Sequence, residues 1–285
     1  MTLFALALVL AAACCHATWN YLVKRINGGP ELVWLFSVIA AVLYLPVAIW
    51  IWLGNTTAFG PREILFCAGS AALHLAYFLL LQRGYREGDL SLVYPTARAT
   101  GPLLSTTFAV AALGERLTLP IFLGGFAIVV GVVFLTGGFR RGAKHVSRSL
   151  TYGLCVGAVI GIYTVWDAYA VRTLLIPALL LEYSSTILRS TGLAPIALRR
   201  QAQIKAHWRD HRLAVIGIAV LNPLAYILVL LALSFTPVVY VAPAREVSVL
   251  LTVMIGTLVL GEGDFRSRMG WAVLILAGMT LLAVS

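Results

Sequence analysis

Charge is the scarcest ingredient of this chain of 285 residues. Only 11% of its residues are charged, where soluble domains carry about a quarter. Cysteine is rare as well. Cys14, Cys15, Cys67 and Cys155 lie inside apolar stretches, without the His/Cys spacing of a metal site or the density of a disulfide scaffold. There is no Walker-type glycine loop, no HExxH and no nucleophile elbow. These absences argue against a stapled secreted domain, a metal centre, direct ATP use and an ordinary soluble enzyme, and no cofactor is expected.

What fills the chain instead is apolar, at 61% of residues. Apolar runs of helix-spanning length recur from end to end, and a hydrocarbon core of roughly 30 Å needs about 20 such residues per helix. The composition predicts an all-α polytopic membrane protein with almost no mass outside the bilayer. Ten transmembrane helices are expected, near 2–23, 31–53, 63–83, 90–113, 118–137, 149–171, 176–198, 213–234, 236–260 and 267–284. Breakers such as Gly28-Gly29-Pro30, Gly60-Pro61 and Gly137-Gly138 separate them. The longest polar segment, Arg199 to Arg212, reads as a solvated cytoplasmic loop. Leu10-Ala11-Ala12-Ala13-Cys14 has some likeness to a lipoprotein cleavage site. No basic stretch precedes it and the apolar run continues past it, so it reads as part of a retained first helix.

An internal repeat organises these spans. At one offset of 147 residues, His16-Ala17-Thr18-Trp19-Asn20 falls on Tyr163-Thr164-Val165-Trp166-Asp167, Ala97-Arg98 on Ala244-Arg245, Leu113-Gly114-Glu115 on Leu260-Gly261-Glu262, and Gly131 on Gly278. The chain therefore divides into a first five-helix repeat (1–137), a cytoplasmic linker (138–148) and a second repeat (149–285). Five is odd, so the second repeat enters the membrane inverted. The charges agree. Of 21 lysines and arginines, fifteen fall in the loops of one face, three (Arg62, Arg116 and Arg172) on the other, and three (Arg98, Arg189 and Arg245) inside spans. By the positive-inside rule the rich face is cytoplasmic, which puts both termini outside. The formal charge of +10 belongs to this bias, and no basic domain is present to bind nucleic acid. Inverted repeats mark secondary transporters with a site near the bilayer midplane.

Leu113-Gly114-Glu115 and Leu260-Gly261-Glu262, each followed by a glycine-spaced helix, resemble the Gly-Glu signature of the drug/metabolite transporter superfamily, EamA type. His16-Ala17-Thr18-Trp19-Asn20 with Lys24 resembles an EamA-type opening. The likeness covers nearly the whole chain. It implies ten helices in two inverted repeats and carriage of a small organic metabolite, often outward. Many members are described with cytoplasmic termini. The charge count points the other way here, and we follow it because the N-terminal stretch holds no basic residue.

Ionisable residues inside a membrane are functional candidates by default. Asp167 is the sharpest. Beside the aromatic Tyr163 and Trp166, it suits an ammonium group through charge and cation–π attraction, or a coupling proton. The competing reading is an ion pair with Arg172. Arg98 and Arg245 are repeat mates, with Pro95 and Pro243 just before them. They suit a carboxylate or phosphate, against snorkelling or a local Arg245–Glu246 pair. Glu246 and His16 join Asp167 as proton-coupling candidates, although a lone histidine is more often hydrogen-bonded packing. Trp19, Asn20, Tyr77, Tyr94, Asn222, Tyr226 and Tyr240 complete the candidate substrate lining. The competing role for any one aromatic is an interface anchor. Glu182 and Arg189 share a face of the polar seventh span and suit a site or a structural salt link equally. Glu115 and Glu262 read as structural turns with charge locks.

Together these residues predict a secondary active transporter working by alternating access in the inner or plasma membrane, as a monomer or homodimer with lipids around it. Its cargo would be a small amphiphilic or zwitterionic metabolite of amino-acid or amine type, with proton coupling as an option. The alternative is a flippase for a lipid-linked or phosphorylated substrate. Neither an enzyme nor a metal site is expected.

Overall fold

The computed structural model describes residues 1–26, 28–54, 59–87, 90–135, 146–251, 254 and 265–284. Every regular element among them is a helix: α1 (Leu3–Ile26), α2 (Pro30–Gly54), α3 (Pro61–Glu87), α4 (Leu90–Leu113), α5 (Leu119–Leu135), α6 (Val146–Arg172), α7 (Ala178–Leu198), α8 (Gln201–Phe235), α9 (Val238–Ala244) and α10 (Phe265–Val284). Prolines open α2 and α3, where a missing N–H costs nothing. Gly114 closes α4 in the left-handed region, at φ 66°, the conformation a helix-ending glycine adopts without strain. By length and hydropathy, α1, α2, α3, α6 and α8 suffice to cross a membrane.

Two expected elements come out differently. The segment expected as a solvated loop, 199–212, is instead largely helical. It forms the first turns of a 35-residue α8, kinked at His211 (φ −136°, ψ 24°). Its alanines, glutamines and lysine are good helix formers. Buried Glu31 anchors it, accepting from Arg200 at 2.7 Å and lying 3.6 Å from His207. The ninth span is also not continuous. α9 stops at Ala244, Arg245 and Glu246 form a turn, and helical backbone resumes at 247. Arg245 still bonds the Val241 carbonyl four residues back, and past it the ladder tightens to i−3 spacing. The turn closes with short-range bonds, Glu246 N–H to Pro243 and Ser248 N–H to Arg245. The sixth helix starts at Val146, and most of the expected linker lies outside the described residues, as does Glu262.

Contacts sort the helix ends into two faces. On one, the α1–α2 link meets the start of α8 through Glu31. On the same face the end of α3 meets α6, where Tyr152 donates to Glu87 at 2.5 Å. That hydroxyl, and then Arg83, hold the Glu87 carboxyl below its ordinary range. On the other face Glu115 reaches Arg172 and the start of α9, Arg62 reaches Tyr169, Phe4 stacks on Phe235, and the N-terminal amine meets the Leu282 carbonyl. Both termini thus share a face with the α2–α3, α4–α5, α6–α7 and α8–α9 links, as successive crossings require.

The helix packing repeats about a two-fold. α3 packs on α6 as α1 does on α8, α2 on α8 as α7 does on α3, while α2 meets α7 and α5 meets α10 across the axis. The α5–α10 contact carries the symmetry to single residues. A side chain on Gly131 would strike Ile275 Cγ1 at 2.5 Å, and one on Gly278 would strike Ile128 Cγ1 at 2.8 Å. Both glycines and both isoleucines are mates at the 147-residue offset. Small residues let helices approach closely where lipid supplies no hydrophobic drive. The same device seats α4 on α6, where Gly153, Gly157 and Gly161 receive Thr96, Thr100 and Leu104.

Candidate functional site

The embedded polar residues converge where α3, α6, α8 and the break after α9 meet. Asp167 is fully buried. Its Oδ2 accepts the Tyr226 hydroxyl at 2.6 Å and lies 3.9 Å from His74 Nε2. The other carboxylate oxygen, Oδ1, has no hydrogen bond. The Ser70 hydroxyl lies beside the carboxylate as a weak hydrogen-bond donor, short of good hydrogen-bonding geometry. The expected alternative, an Asp167–Arg172 pair, does not form, because Arg172 bonds Glu115 at 3.0 Å.

Arg245 sits on the turn after Pro243. Its guanidinium lies 5.9 Å from the Tyr163 ring and 5.7 Å from the Tyr226 ring. It also makes long hydrogen bonds, 3.4 Å each, to Thr164 Oγ1 and Tyr163 Oη. Its repeat mate Arg98, on continuous α4, pairs with Glu246 at 3.4 Å and covers the Tyr94 ring at 5.3 Å. So Glu246 bridges to Arg98 in the other repeat, and the local Arg245–Glu246 pair is not the one formed. The break that turns Arg245 towards Tyr163 also turns Glu246 towards α4.

An aromatic wall joins these charges. Tyr163 lies 4.3 Å from His74, 6.0 Å from Tyr77 and 6.3 Å from Tyr226, centroid to centroid. His16 is electrostatically coupled to both Arg98 and Arg245, and its Nδ1 accepts Trp19 Nε1–H at 3.3 Å. Trp19 itself packs among α1, α2 and α8, and Asn20 bonds back to the His16 carbonyl. Trp166 faces α3, stacked on Phe66 at 4.2 Å, with its indole in the space left by Gly69. Tyr240 packs against the main apolar core. Trp19, Asn20, Trp166 and Tyr240 thus lie outside the polar cluster.

A second polar group lies beside it. Arg189 donates to Ser37 at 2.9 Å and to Asn222 at 3.2 Å, and sits 3.9 Å from Glu182. Asn222 is thereby drawn to Arg189. Glu182 lines a shallow, tightly packed crevice with Tyr44, Tyr183, Thr186, Pro223 and Ile227. The sequence marks His74, with Tyr77, as a possible cavity-lining residue but does not pair it with Asp167, and it gives no role to Ser70, one turn before His74. Their spacing at i and i+4 on α3 was the available signal.

The EamA-like transporter family model matches residues 3–137 and 147–284, once in each repeat. The chain belongs to the EamA-like transporter family. It is therefore a multi-pass membrane transporter of the drug/metabolite transporter superfamily, built as two inverted five-helix repeats. A solved crystal structure whose description states no activity shares the fold, with a TM-score of 0.75 and 15% identity over 98% of this chain and 96% of its own. No curated protein matches the chain. Within the family frame, Glu115 has a structural part. Its two oxygens accept the N–H groups of Val238 and Val239 at 2.9 and 3.0 Å. The Gly-Glu pair thus ends one helix and caps the start of another in the opposite repeat.

Proposed function

We propose that this EamA-type chain is a secondary active transporter for a small zwitterionic or amine-bearing amphiphile, binding it between Asp167 and Arg245 and exposing it by alternating access. One observation carries the reading. A buried carboxylate and a half-buried guanidinium flank the same tyrosine, Tyr226, yet do not pair with each other. Buried charges normally find a counter-ion. Here Arg98 has Glu246, Arg189 has Glu182 and Arg172 has Glu115. Asp167 and Arg245 stand apart, which suits a ligand carrying both complementary charges. The tyrosines supply an apolar wall for its body. Arg98 is neutralised by Glu246, so a phosphate would meet one free guanidinium instead of two, and the flippase alternative loses support.

In this reading the α9 break is the moving part, because one turn carries both Arg245 and the Glu246 link to the first repeat. Asp167, with His74 beside it, is the proton carrier, so a proton gradient can drive transport. The protein sits in the inner or plasma membrane with both termini outside. The test is uptake of labelled amino acids and amines into proteoliposomes bearing the full chain, beside Asp167→Asn and Arg245→Ala. Equal flux and affinity in all three would overturn the assignment.

A further inference from the structure

Three buried polar atoms without a hydrogen bond gather at one point: Asp167 Oδ1, His74 Nε2 and Ser70 Oγ. Asp167 is 0% and Ser70 1% exposed. A carbonyl can only accept, so the 2.9 Å contact of His74 Nδ1 with the Ser70 carbonyl fixes the proton on Nδ1. In the neutral ring Nε2 is then a bare acceptor. It faces Asp167 Oδ2 at 3.9 Å, too far for a hydrogen bond. Nε2 and the carboxylate are thus neighbouring acceptors with no hydrogen bond between them, beside a hydroxyl that serves as either donor or acceptor. Native structures rarely leave such atoms unmatched unless something arrives to match them.

We propose that these unmatched acceptors, Asp167 Oδ1 and His74 Nε2, receive the substrate's ammonium group, and that they select an ammonium carrying N–H bonds over a quaternary one. The proposal rests on the amine reading above and deepens it. A primary or secondary ammonium satisfies Asp167 Oδ1 and His74 Nε2 together. A trimethylammonium brings the same charge but no donor, and leaves both acceptors bare inside a membrane protein. Sites built to hydrogen-bond a substrate group strongly reject analogues that lack it. Charge and the aromatic wall attract both classes, so the discrimination falls to these acceptors.

The experiment measures binding of phenylalanine, N-methylphenylalanine and phenylalanine betaine to the purified full chain in nanodiscs. The first two should bind comparably and the betaine at least about tenfold more weakly. In His74→Phe, which keeps a ring and removes the acceptor, the gap between amine and betaine should narrow. If the betaine is rejected equally by wild type and His74→Phe, bulk is the cause and the donor-selection proposal fails. If all three ligands bind wild type alike, it fails while the amine reading survives. If none binds, the amine reading falls, and the proposal with it.

Discussion

Asp167 and Arg245 are held by the same tyrosine and do not touch: the Tyr226 hydroxyl donates to Asp167 at 2.6 Å, and the Arg245 guanidinium lies 5.7 Å from the ring. The tyrosine keeps the opposite charges from collapsing into an ion pair. A negative and a positive group thus stay apart where α6, α8 and the turn after α9 meet.

Removing the hydroxyl should therefore weaken binding without removing either charge. Tyr226→Phe keeps the ring facing Arg245 and strips the donor from Asp167. Hydrogen bonds to charged groups are worth about 1.5–3 kcal/mol, so affinity for an amine ligand is expected to fall by roughly tenfold or more. Isothermal titration against wild type measures the loss, and an unchanged affinity would take Tyr226 out of the site.

Coupling makes a separate demand. If Asp167 carries the proton, flux in proteoliposomes will follow an imposed pH gradient and reverse when the gradient is reversed. Asp167→Asn keeps the shape but removes both the titrating carboxyl and the ammonium's counter-charge, so it should lose most affinity, and whatever exchange remains should ignore pH. Flux in wild type that is indifferent to the gradient would refute the coupling and leave the carrier intact.

Glu115 belongs to a different category of effect. Two backbone N–H groups at the start of α9 bond its oxygens, while its partner Arg172 is half-exposed. Glu115→Gln removes the negative charge at a helix N-terminus and leaves one side-chain oxygen for two donors. A stability loss of about 1–3 kcal/mol is expected, read as a lower melting temperature in detergent. Ligand affinity in the surviving folded protein should stay near wild type, because Glu115 lies on the face of the helix ends, away from Asp167.

Much of this architecture could be read from the chain itself. Helix positions followed from apolar run length, and the repeat from one offset that also relates the Gly131–Ile275 and Gly278–Ile128 contacts. Asp167 and Arg245 stood out because ionised groups in apolar runs are rare. Pairings were harder to read. Glu246 could choose Arg245, its neighbour in sequence, or Arg98, and the turn after α9 decided for Arg98. The helical start of α8 was hidden because charge density resembles a loop unless its buried partner, Glu31, is known. Trp166 looked like a ligand-facing aromatic, yet the hole at Gly69 on another helix sets its direction. Each of these depends on a residue distant in sequence, which local composition does not encode.

The α5–α10 crossing gives the sharpest test of the packing. A methyl group on Gly278 would lie 2.7 Å from the Gly124 carbonyl oxygen, and one on Gly131 would lie 2.5 Å from Ile275 Cγ1. These near-equal distances predict unequal outcomes. The Ile275 Cγ1 is a side-chain atom that can give by a change of χ1, whereas a carbonyl inside a helix moves only with the helix. Gly278→Ala should thus force α5 and α10 apart and cost about 1–3 kcal/mol, the range for overpacking a tight interior. Gly131→Ala should cost less, and Ile275→Ala, which takes away Cγ1, should relieve most of the clash. Thermal unfolding in detergent ranks the three, and a Gly131→Ala protein as damaged as Gly278→Ala would show that the helix spacing, not the side-chain fit, limits both mates.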